Sequence, residues 1–592
     1  MKKLTGIAVS PGVAFARAAV FNTDGQQMGI SNCLPENVGQ ELELFQEALQ
    51  TASQEIAACR DDVAQKLGDG YAAIFKGHLV LLQDPGLLKS VKDGIQNEFF
   101  TAEYAVYATL TSYAQAFQRI PNPYMAERAN DILDLRKRLV RILQKGKQQI
   151  QSFDEPVVIL SYDLTPSETA SMDTAHVLAF ATEIGGPSSH TAIVAEGLHI
   201  PAIVGVGPIL KYVHVGDLVI VDGDNGILII DPDEETKESY RELIQQRESL
   251  NLCLDLQREL PAVTLDGVEI ELQGNIEFPY EAQVCRQNNA SGVGLYRTEF
   301  LYLSGQHPNE DDHFEAYRKV IETMDGKPVT IRTVDLGADK LLERSKISPD
   351  VQDRDYFIES EKNPCLGLRS IRLSLKRADL FRKQLRAIFR AAYYGPVRIL
   401  FPLVATLAEW RQARMIAEDV KEDLMDGNIP FNPNVPMGIM VEVPSTVLML
   451  DRFAQEVDFF SIGTNDLTQY TLAVDRTNMD VFYLYNSCDP AILKLIEMTV
   501  QTANRFQKPV CLCGQLSGSP IYTTLLIGLG LRSMSLAPGA IPEVKRVCRH
   551  VLTSQCRKIA ARVMKMENAA EIRNYLWVEH QRLFPDLDGD AF

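Results

Sequence analysis

The stretch Gly-Gly-Pro-Ser-Ser-His-Thr-Ala-Ile-Val-Ala at residues 185–195 is where residue types and spacing point most clearly to chemistry. Its two glycines permit a tight turn, and Ser188 and Ser189 are residue types that cap helix N-termini. His190 is therefore predicted to lie in a loop before a short helix over 191–198, where free backbone N–H groups favour an anion. A neutral imidazole can attack phosphorus, so His190 is a candidate carrier of a phosphoryl group.

A second set of polar residues stands at or near the ends of apolar runs in the C-terminal half. These residues are Arg297, Arg332, Glu442, Asn465, Asp466, Arg476 and Cys513. Two carboxylates and several arginines that meet at one place make a site for Mg²⁺ and a phosphorylated anion. The alternative for any one arginine or glutamate is a solvated charge or a salt bridge. For Cys513, spacing alone favours a buried, small apolar residue.

The elements that position this second set alternate between strand and helix from about residue 263 onward. Eight apolar runs are predicted as strands, at 270–276, 292–296, 329–334, 397–403, 437–443, 459–462, 510–513 and 534–536. This alternation predicts a (β/α)8 barrel, in which the C-terminal strand ends carry the chemistry. The alternative, an open doubly wound sheet, would favour a Gly-rich dinucleotide fingerprint, and the sequence has none.

The N-terminal half changes character twice. Strand-and-turn patterns, including a hairpin over 221–232, indicate an α/β domain formed by residues 1–34 and 146–232. Residues 35–145 interrupt it with long amphipathic helices, predicted at 41–67, 75–82, 102–117 and 127–143. A charged linker helix follows at 233–262, then the barrel at 263–575 and a C-terminal tail at 576–592. The predicted fold class is thus multidomain α/β.

Composition narrows the functional class. The chain has 592 residues, too many for one core, and a net charge of −19, which favours neither nucleic acid nor an anionic membrane surface. Its ten cysteines are sparse and match no zinc or redox spacing. No signal peptide fits, and no apolar stretch reaches the roughly 18 residues that a membrane span needs. We therefore expect a cytoplasmic protein with free thiols and no membrane insertion.

In combination, these motifs resemble those of a known family. They are the stretch around His190, its flanks Thr-Pro-Ser-Glu-Thr at 165–169 and Ile-Pro-Ala-Ile-Val-Gly-Val at 200–206, the strand-end residues, and Cys513-Gly514-x-Leu516. The chain resembles the phosphoenolpyruvate-utilising enzymes, and among them the enzyme I family of the phosphoenolpyruvate:sugar phosphotransferase system. The resemblance runs from about Thr5 to about Val551.

The resemblance implies a function for each set of residues. His190 takes the phosphoryl group of phosphoenolpyruvate and passes it to a histidine of an HPr-like phosphocarrier protein, which docks on the helical insert. Glu442 and Asp466 ligate Mg²⁺, and Cys513 protonates the pyruvate enolate. Phosphoenolpyruvate is bound by Arg297, Arg332, Asn465, Asp466 and Arg476. The resemblance also implies a phosphohistidine domain, dimerisation through the barrel and a hinge in the linker.

Three departures from the family pattern keep alternatives open. Pro187 and Glu196 stand where members usually have arginine, and Gln515 stands where they have glutamate. These changes fit a catalytically weakened, regulatory member of the enzyme I family. A relative of phosphoenolpyruvate synthase or pyruvate phosphate dikinase is the other alternative, but those enzymes carry an ATP-grasp domain for which this chain has no room.

Overall fold

The computed structural model separates into two compact units, which meet in sequence between Ser249 and Leu250. The structure describes residues 1–21, 31–67, 69–118, 123–143, 155–164, 169, 172, 176–186, 200–302, 308–337, 363–476, 478 and 480–584.

The first unit contains an eight-stranded mixed sheet in the order β1-β8-β7-β3-β4-β5-β6-β2. Its strands are β1 (Lys2–Thr5), β2 (Ile7–Ser10), β3 (Val13–Phe21), β4 (Val157–Ser161), β5 (Val177–Thr182), β6 (Ala202–Val204), β7 (Leu218–Asp222) and β8 (Ile227–Ile230). Strands β7 and β8 pair antiparallel, which is the predicted hairpin. Alternate residues of β4 enter different apolar clusters, Val158 one and Ile159 the other, because successive side chains point to opposite faces of a sheet.

In the described residues between β3 and β4, five α-helices form an apolar core of their own. They are α1 (Val38–Leu67), α2 (Asp69–Leu82), α3 (Pro85–Asn97), α4 (Ala102–Gln118) and α5 (Pro123–Leu143). The sequence did not predict α3, whose Gly86 and Gly94 weaken the helical pattern. Its start is nevertheless well specified, since Asp84 accepts a hydrogen bond from the N–H of Leu87 at 2.7 Å and Pro85 occupies the first turn. A charged helix, α6 (Glu234–Gln257), lies within the predicted linker.

The second unit is built on a closed barrel of eight parallel strands. The strands are β9 (Glu271–Ile276), β10 (Val293–Tyr296), β11 (Val329–Arg332), β12 (Val397–Phe401), β13 (Met437–Val441), β14 (Phe459–Gly463), β15 (Val510–Cys513) and β16 (Ser533–Leu536). Each overlaps a predicted strand, so the predicted (β/α)8 barrel is confirmed.

Helices surround the strands and complete the apolar core. They are α7 (Glu281–Gln287), α8 (Glu310–Met324), α9 (Ile371–Lys376), α10 (Ala378–Ala391), α11 (Leu407–Asp426), α12 (Pro444–Leu448), α13 (Leu450–Phe453), α14 (Thr464–Leu472), α15 (Pro490–Arg505), α16 (Gln515–Gly518), α17 (Pro520–Gly528), α18 (Ile541–Arg549), α19 (Thr553–Val563) and α20 (Ala569–Leu583). Helix α20 buries Ile572 and Leu576 in that core, so it runs through the predicted start of the tail at residue 576. None of the helices in the described part of the chain has the length and hydrophobicity needed to cross a bilayer.

Candidate active site at the barrel mouth

The C-terminal strand ends bring most of the predicted site residues to one end of the barrel. Arg332 and Cys513 are the last residues of β11 and β15. Arg297 and Glu442 directly follow β10 and β13, and Asp466 lies in the first turn of α14, next to Asn465. Because all eight strands are parallel, these positions share the mouth of the barrel.

Arg476 does not follow a strand directly, and it lies beyond the helix that comes after β14. Helix α14 ends at Leu472, and Ala473 adopts a left-handed φ of 54°. A non-glycine residue in that conformation ends a helix. Arg476 therefore lies in a turn beyond the helix, where its backbone N–H faces the side-chain oxygen of Gln469 at 3.4 Å.

A chain of ion pairs crosses the mouth. Arg332 pairs with Glu299 at 3.0 Å and with Asp335 at 3.1 Å, and Arg369 pairs with the other oxygen of Asp335 at 2.9 Å. Burial by itself raises the pKa of the Asp335 carboxyl. The positive charges of Arg332 and Arg369 lower that pKa by more than burial raises it, so the pKa lies below its ordinary value. The carboxyls in turn hold the pKa values of both arginines above their ordinary values in spite of burial. These ions stay charged at neutral pH.

Arg369 is a site residue that the sequence reasoning missed. Besides Asp335, its guanidinium approaches Asp466 at 3.5 Å and the Tyr470 hydroxyl at 3.4 Å. An isolated antiparallel bridge between Arg369 and Gly337 brings it to the mouth, although it follows no barrel strand directly. The one signal in the sequence is its cationic type between two small or apolar neighbours, in Leu-Arg-Ser.

Glu442 and Asp466 form a buried pair of carboxylates. Glu442 accepts a hydrogen bond from the backbone N–H of Leu403 at 2.5 Å. Burial raises the pKa of Glu442 well above its ordinary value, and the negative charges of Asp466 and Asp335 raise it further. One side-chain oxygen of Asp466 is buried and has no hydrogen-bond partner among the described residues. A buried glutamate with a raised pKa beside an aspartate oxygen that lacks a partner among the described residues fits a bound cation.

The described residues contain no group of three or more histidine, cysteine or acidic side chains arranged as a metal cage. This does not conflict with a magnesium site, because Mg²⁺ typically takes only one or two carboxylates and completes its shell with substrate oxygens and water. Glu442 and Asp466 are thus sufficient as the protein's share.

Two glycines allow the backbone to approach these groups closely. A Cβ on Gly463 would lie 2.8 Å from an oxygen of Glu442, and a Cβ on Gly514 would overlap the hydroxyl of Thr464. Both glycines sit at the ends of neighbouring strands, β14 and β15. Any larger residue would displace the carboxylate or the start of α14.

Cys513 is a buried thiol beside the cluster. Its sulfur lies 3.0 Å from the Ser461 hydroxyl and 3.5 Å from the carbonyl of Ile462. Burial raises the pKa of this thiol to about 11, with the Ser461 hydroxyl acting in the opposite direction. The thiol therefore keeps its proton at neutral pH and can act as an acid towards a strongly basic carbanion.

A cavity of about 320 Å³ adjoins this end of the barrel. Asn465, Arg476 and Gln515 contribute to its wall, as does Tyr485, whose hydroxyl donates to the carbonyl of Asn465 at 3.1 Å. The side-chain oxygen of Asn465 is buried without a hydrogen-bond partner among the described residues. Among the described residues, the cavity wall thus includes one side chain, that of Asn465, with an oxygen that lacks a hydrogen-bond partner.

The predicted phosphorylation site in the first unit, His190 and the helix over 191–198, lies outside the described residues, as do Pro187 and Glu196. The segment that leads to it is described. Strand β5 ends at Thr182, and Gly185 adopts a φ of 131° with its Cα close to Val204, where a Cβ would lie 3.0 Å from the Val204 Cβ. This agrees with the tight turn predicted for the glycine pair.

Comparison with known proteins assigns nearly the whole chain to one family. The description "PEP-utilising enzyme, N-terminal" matches residues 5–128, "mobile domain" matches 153–226, and "PEP-binding domain" matches 254–553. A solution structure described as Enzyme I is 37% identical and covers 41% of this chain and 99% of its own, with a TM-score of 0.36.

Full-length relatives extend this match. Proteins of Bacillus sp. (strain S) and Geobacillus stearothermophilus are each 40% identical over 577 residues, which is 97% of this chain and 98% of theirs. A protein of Staphylococcus aureus (strain MSSA476) is 39% identical over 574 residues. All three are named phosphoenolpyruvate-protein phosphotransferase. This chain therefore belongs to the PEP-utilising enzyme family and is similar over almost its full length to the phosphoenolpyruvate-protein phosphotransferases within it.

Proposed function

We propose that this protein is an enzyme that transfers the phosphoryl group of phosphoenolpyruvate, through His190, to a histidine of an HPr-like carrier protein. That transfer is the first step of sugar uptake by the phosphotransferase system. The observation that carries the proposal is the barrel mouth, where buried arginines meet a pair of carboxylates, one of which, Asp466, has an oxygen without a hydrogen-bond partner in the described part of the chain. Full-length similarity to proteins named for this reaction supports it.

Substrate binding falls to the cationic and amide side chains at the mouth. The substrate carries a phosphate and a carboxylate, and arginine can bind either through two parallel N–H groups. The proposed binding residues are Arg297, Arg332, Asn465, Asp466 and Arg476, to which the structure adds Arg369 as a candidate. The acidic partners of Arg332 and Arg369 fix these guanidinium groups before substrate arrives, which lowers the entropy cost of binding.

Glu442 and Asp466 are the proposed ligands of Mg²⁺. A bound Mg²⁺ neutralises negative charge on the substrate oxygens and orients them. Two features of these carboxylates favour binding of Mg²⁺. The Leu403 N–H donates to one oxygen of Glu442, and one oxygen of Asp466 accepts no hydrogen bond from any described residue.

In the proposed reaction, an imidazole nitrogen of His190 attacks phosphorus and the bond from phosphorus to the enol oxygen breaks. The electron pair of that bond stays with the enolate, whose carbon three then takes the proton of the Cys513 thiol, giving pyruvate. The thiolate recovers a proton from solvent, and the phosphohistidine passes its group to the carrier. Ser461, 3.0 Å from the sulfur, orients the thiol for this step.

The remaining assignments follow the same proposal. The helical segment 35–145 binds the carrier protein, residues 1–34 and 146–232 form the phosphohistidine domain, and the segment 233–262 is the hinge. The barrel, which extends through helix α20, binds phosphoenolpyruvate and forms the contact of a homodimer. The protein acts in the cytoplasm and needs neither nucleic acid nor a membrane anchor.

Release of pyruvate tests this function. The purified protein with phosphoenolpyruvate and Mg²⁺ should release about one pyruvate per chain without a carrier, then turn over continuously when an HPr-like protein is added. Chelation of Mg²⁺ should abolish both. An initial release without continued turnover would favour the weakened, regulatory alternative, for which Pro187, Glu196 and Gln515 are the motive. No release at all would refute the proposed function.

A further inference from the structure

The helix behind the mouth carries a buried amide that the reaction as proposed does not use. Gln384 lies on α10, on the face that also buries Phe381, Leu385 and Ile388. Its side chain is completely buried. A polar side chain at the centre of an apolar face costs free energy unless its hydrogen bonds are satisfied, so its partners show what it does.

Gln384 makes three hydrogen bonds, and their directions are fixed. Its oxygen accepts from the backbone N–H of Val334 at 3.0 Å, because a backbone N–H can only donate. Its NH₂ group must then donate to the hydroxyls of Thr298 and Tyr317, each at 3.0 Å. The amide therefore joins three separate elements at one point.

Each of these two hydroxyls in turn donates a hydrogen bond to a further group. The Thr298 hydroxyl donates to the backbone carbonyl of Arg332 at 3.1 Å. The Tyr317 hydroxyl lies 2.8 Å from one ring nitrogen of His313, whose pKa burial lowers to about 4. His313 is thus neutral at pH 7, accepts from Tyr317 and has its remaining N–H near the Tyr302 hydroxyl at 3.4 Å. The network is satisfied from end to end.

This arrangement ties together the two strand ends that carry substrate-binding arginines. Thr298 directly follows Arg297, and Val334 lies two residues beyond Arg332. Gln384 binds both segments, and Thr298 binds the second one again through the Arg332 carbonyl. The separation of the two arginines is thereby fixed by groups that touch no substrate.

We propose that Gln384 is a positioning residue that sets the spacing between Arg297 and Arg332 to match the phosphate and carboxylate of phosphoenolpyruvate. The inference rests on the proposed function for the identity of the substrate. A displacement of one cation by a fraction of an ångström weakens the two-point match, whereas the chemistry at His190 and Cys513 is unaffected once substrate is bound.

The test is Gln384→Met, which keeps the volume but removes all three hydrogen bonds. We expect KM and the dissociation constant for phosphoenolpyruvate to rise about tenfold, with kcat within about threefold of the wild type. The matched control is Asn288→Leu, which removes another buried amide, one that donates to the carbonyl of Pro538 at 2.9 Å. Asn288 hydrogen-bonds to Pro538 and Lys545, neither of which is a proposed binding residue, so this variant should melt lower with KM unchanged.

Should Gln384→Met fail to fold, Gln384→Asn decides the question, because it keeps the amide but is one methylene too short to reach both segments. A dissociation constant within about twofold of the wild type, in the folded variant, would overturn the positioning role. Direct binding, measured by calorimetry with phosphoenolpyruvate, separates the two proposals. A wild type that binds but releases no pyruvate refutes the proposed function alone, and a wild type that does not bind refutes both.

Discussion

Asp335 is the centre of the ion-pair chain, and Asp335→Asn removes its charge with almost no change in shape. Asp335 shows only 6% of its side chain to solvent and contacts one arginine with each oxygen. Removing one partner of a buried ion pair typically costs 3–5 kcal/mol, because the other charge is left uncompensated. Arg332 keeps Glu299 at 3.0 Å and Arg369 keeps Asp466 at 3.5 Å, so we expect the low end, about 3 kcal/mol.

The assay is thermal unfolding of the full chain at several pH values. At pH 7, a loss of about 3 kcal/mol corresponds to a fall of about 4–5 °C in the melting temperature of the barrel. The pKa of Asp335 is lowered in the folded state, so the stability it contributes is present above its ordinary value of about 3.9 and is lost as pH falls through the folded value. The difference in melting temperature between the wild type and Asp335→Asn should therefore become smaller below about pH 4.

The matched control is Asp379→Asn, the same substitution in an ion pair with Arg377 that leaves 58% of the Asp379 side chain exposed. An exposed pair contributes little, so this variant should lose less than about 1 kcal/mol. If Asp335→Asn melts like Asp379→Asn, the carboxylate does not hold the two arginines in place. A difference in melting temperature between the wild type and Asp335→Asn that stays constant down to pH 3 would contradict the assignment of Asp335 as a carboxylate with a lowered pKa.

Four further substitutions test other steps. His190→Ala should abolish the initial release of pyruvate and leave phosphoenolpyruvate binding intact in calorimetry, since His190 lies far in sequence from the barrel-mouth residues. Normal release of pyruvate would exclude His190 as the phosphoryl carrier. Glu442→Ala or Asp466→Ala should abolish Mg²⁺-dependent activity with the barrel still folded, because strand-end carboxylates serve the site; unfolding by circular dichroism would indicate a structural role instead. Glu196→Arg should increase phosphorylation of His190, most at low ionic strength, because it removes a negative charge only six residues from His190 in sequence. Equal labelling would show that the charge of Glu196 does not affect the phosphohistidine.

The barrel was predictable because its signal is local and repeated. Each buried parallel strand, such as β13 and β14, is a short apolar run bounded by helix-length segments. Strand ends then marked Arg332, Glu442 and Asp466 as neighbours without any knowledge of their contacts. Helix α3 escaped prediction because a proline and two glycines obscure its period.

What the sequence could not show depends on contacts between distant segments. Arg369 follows no strand of the barrel, and only its bridge to Gly337 and its pairs with Asp335 and Asp466 bring it to the mouth. Gln384 can be recognised in the sequence as a polar residue among the buried positions of an amphipathic helix. This pattern indicates a buried group that needs hydrogen-bond partners. It does not identify Thr298 and Val334 as those partners, because they lie 86 and 50 residues away in sequence.

The central claim is that His190 carries the phosphoryl group, and mapping that group tests it most directly. The protein is incubated with phosphoenolpyruvate and Mg²⁺, digested at alkaline pH and analysed by mass spectrometry. We predict one phosphorylated peptide, containing His190, whose phosphate is stable in base, lost in acid, and absent when Mg²⁺ is chelated. A phosphate that survives acid, or that maps to a peptide without His190, would contradict the account.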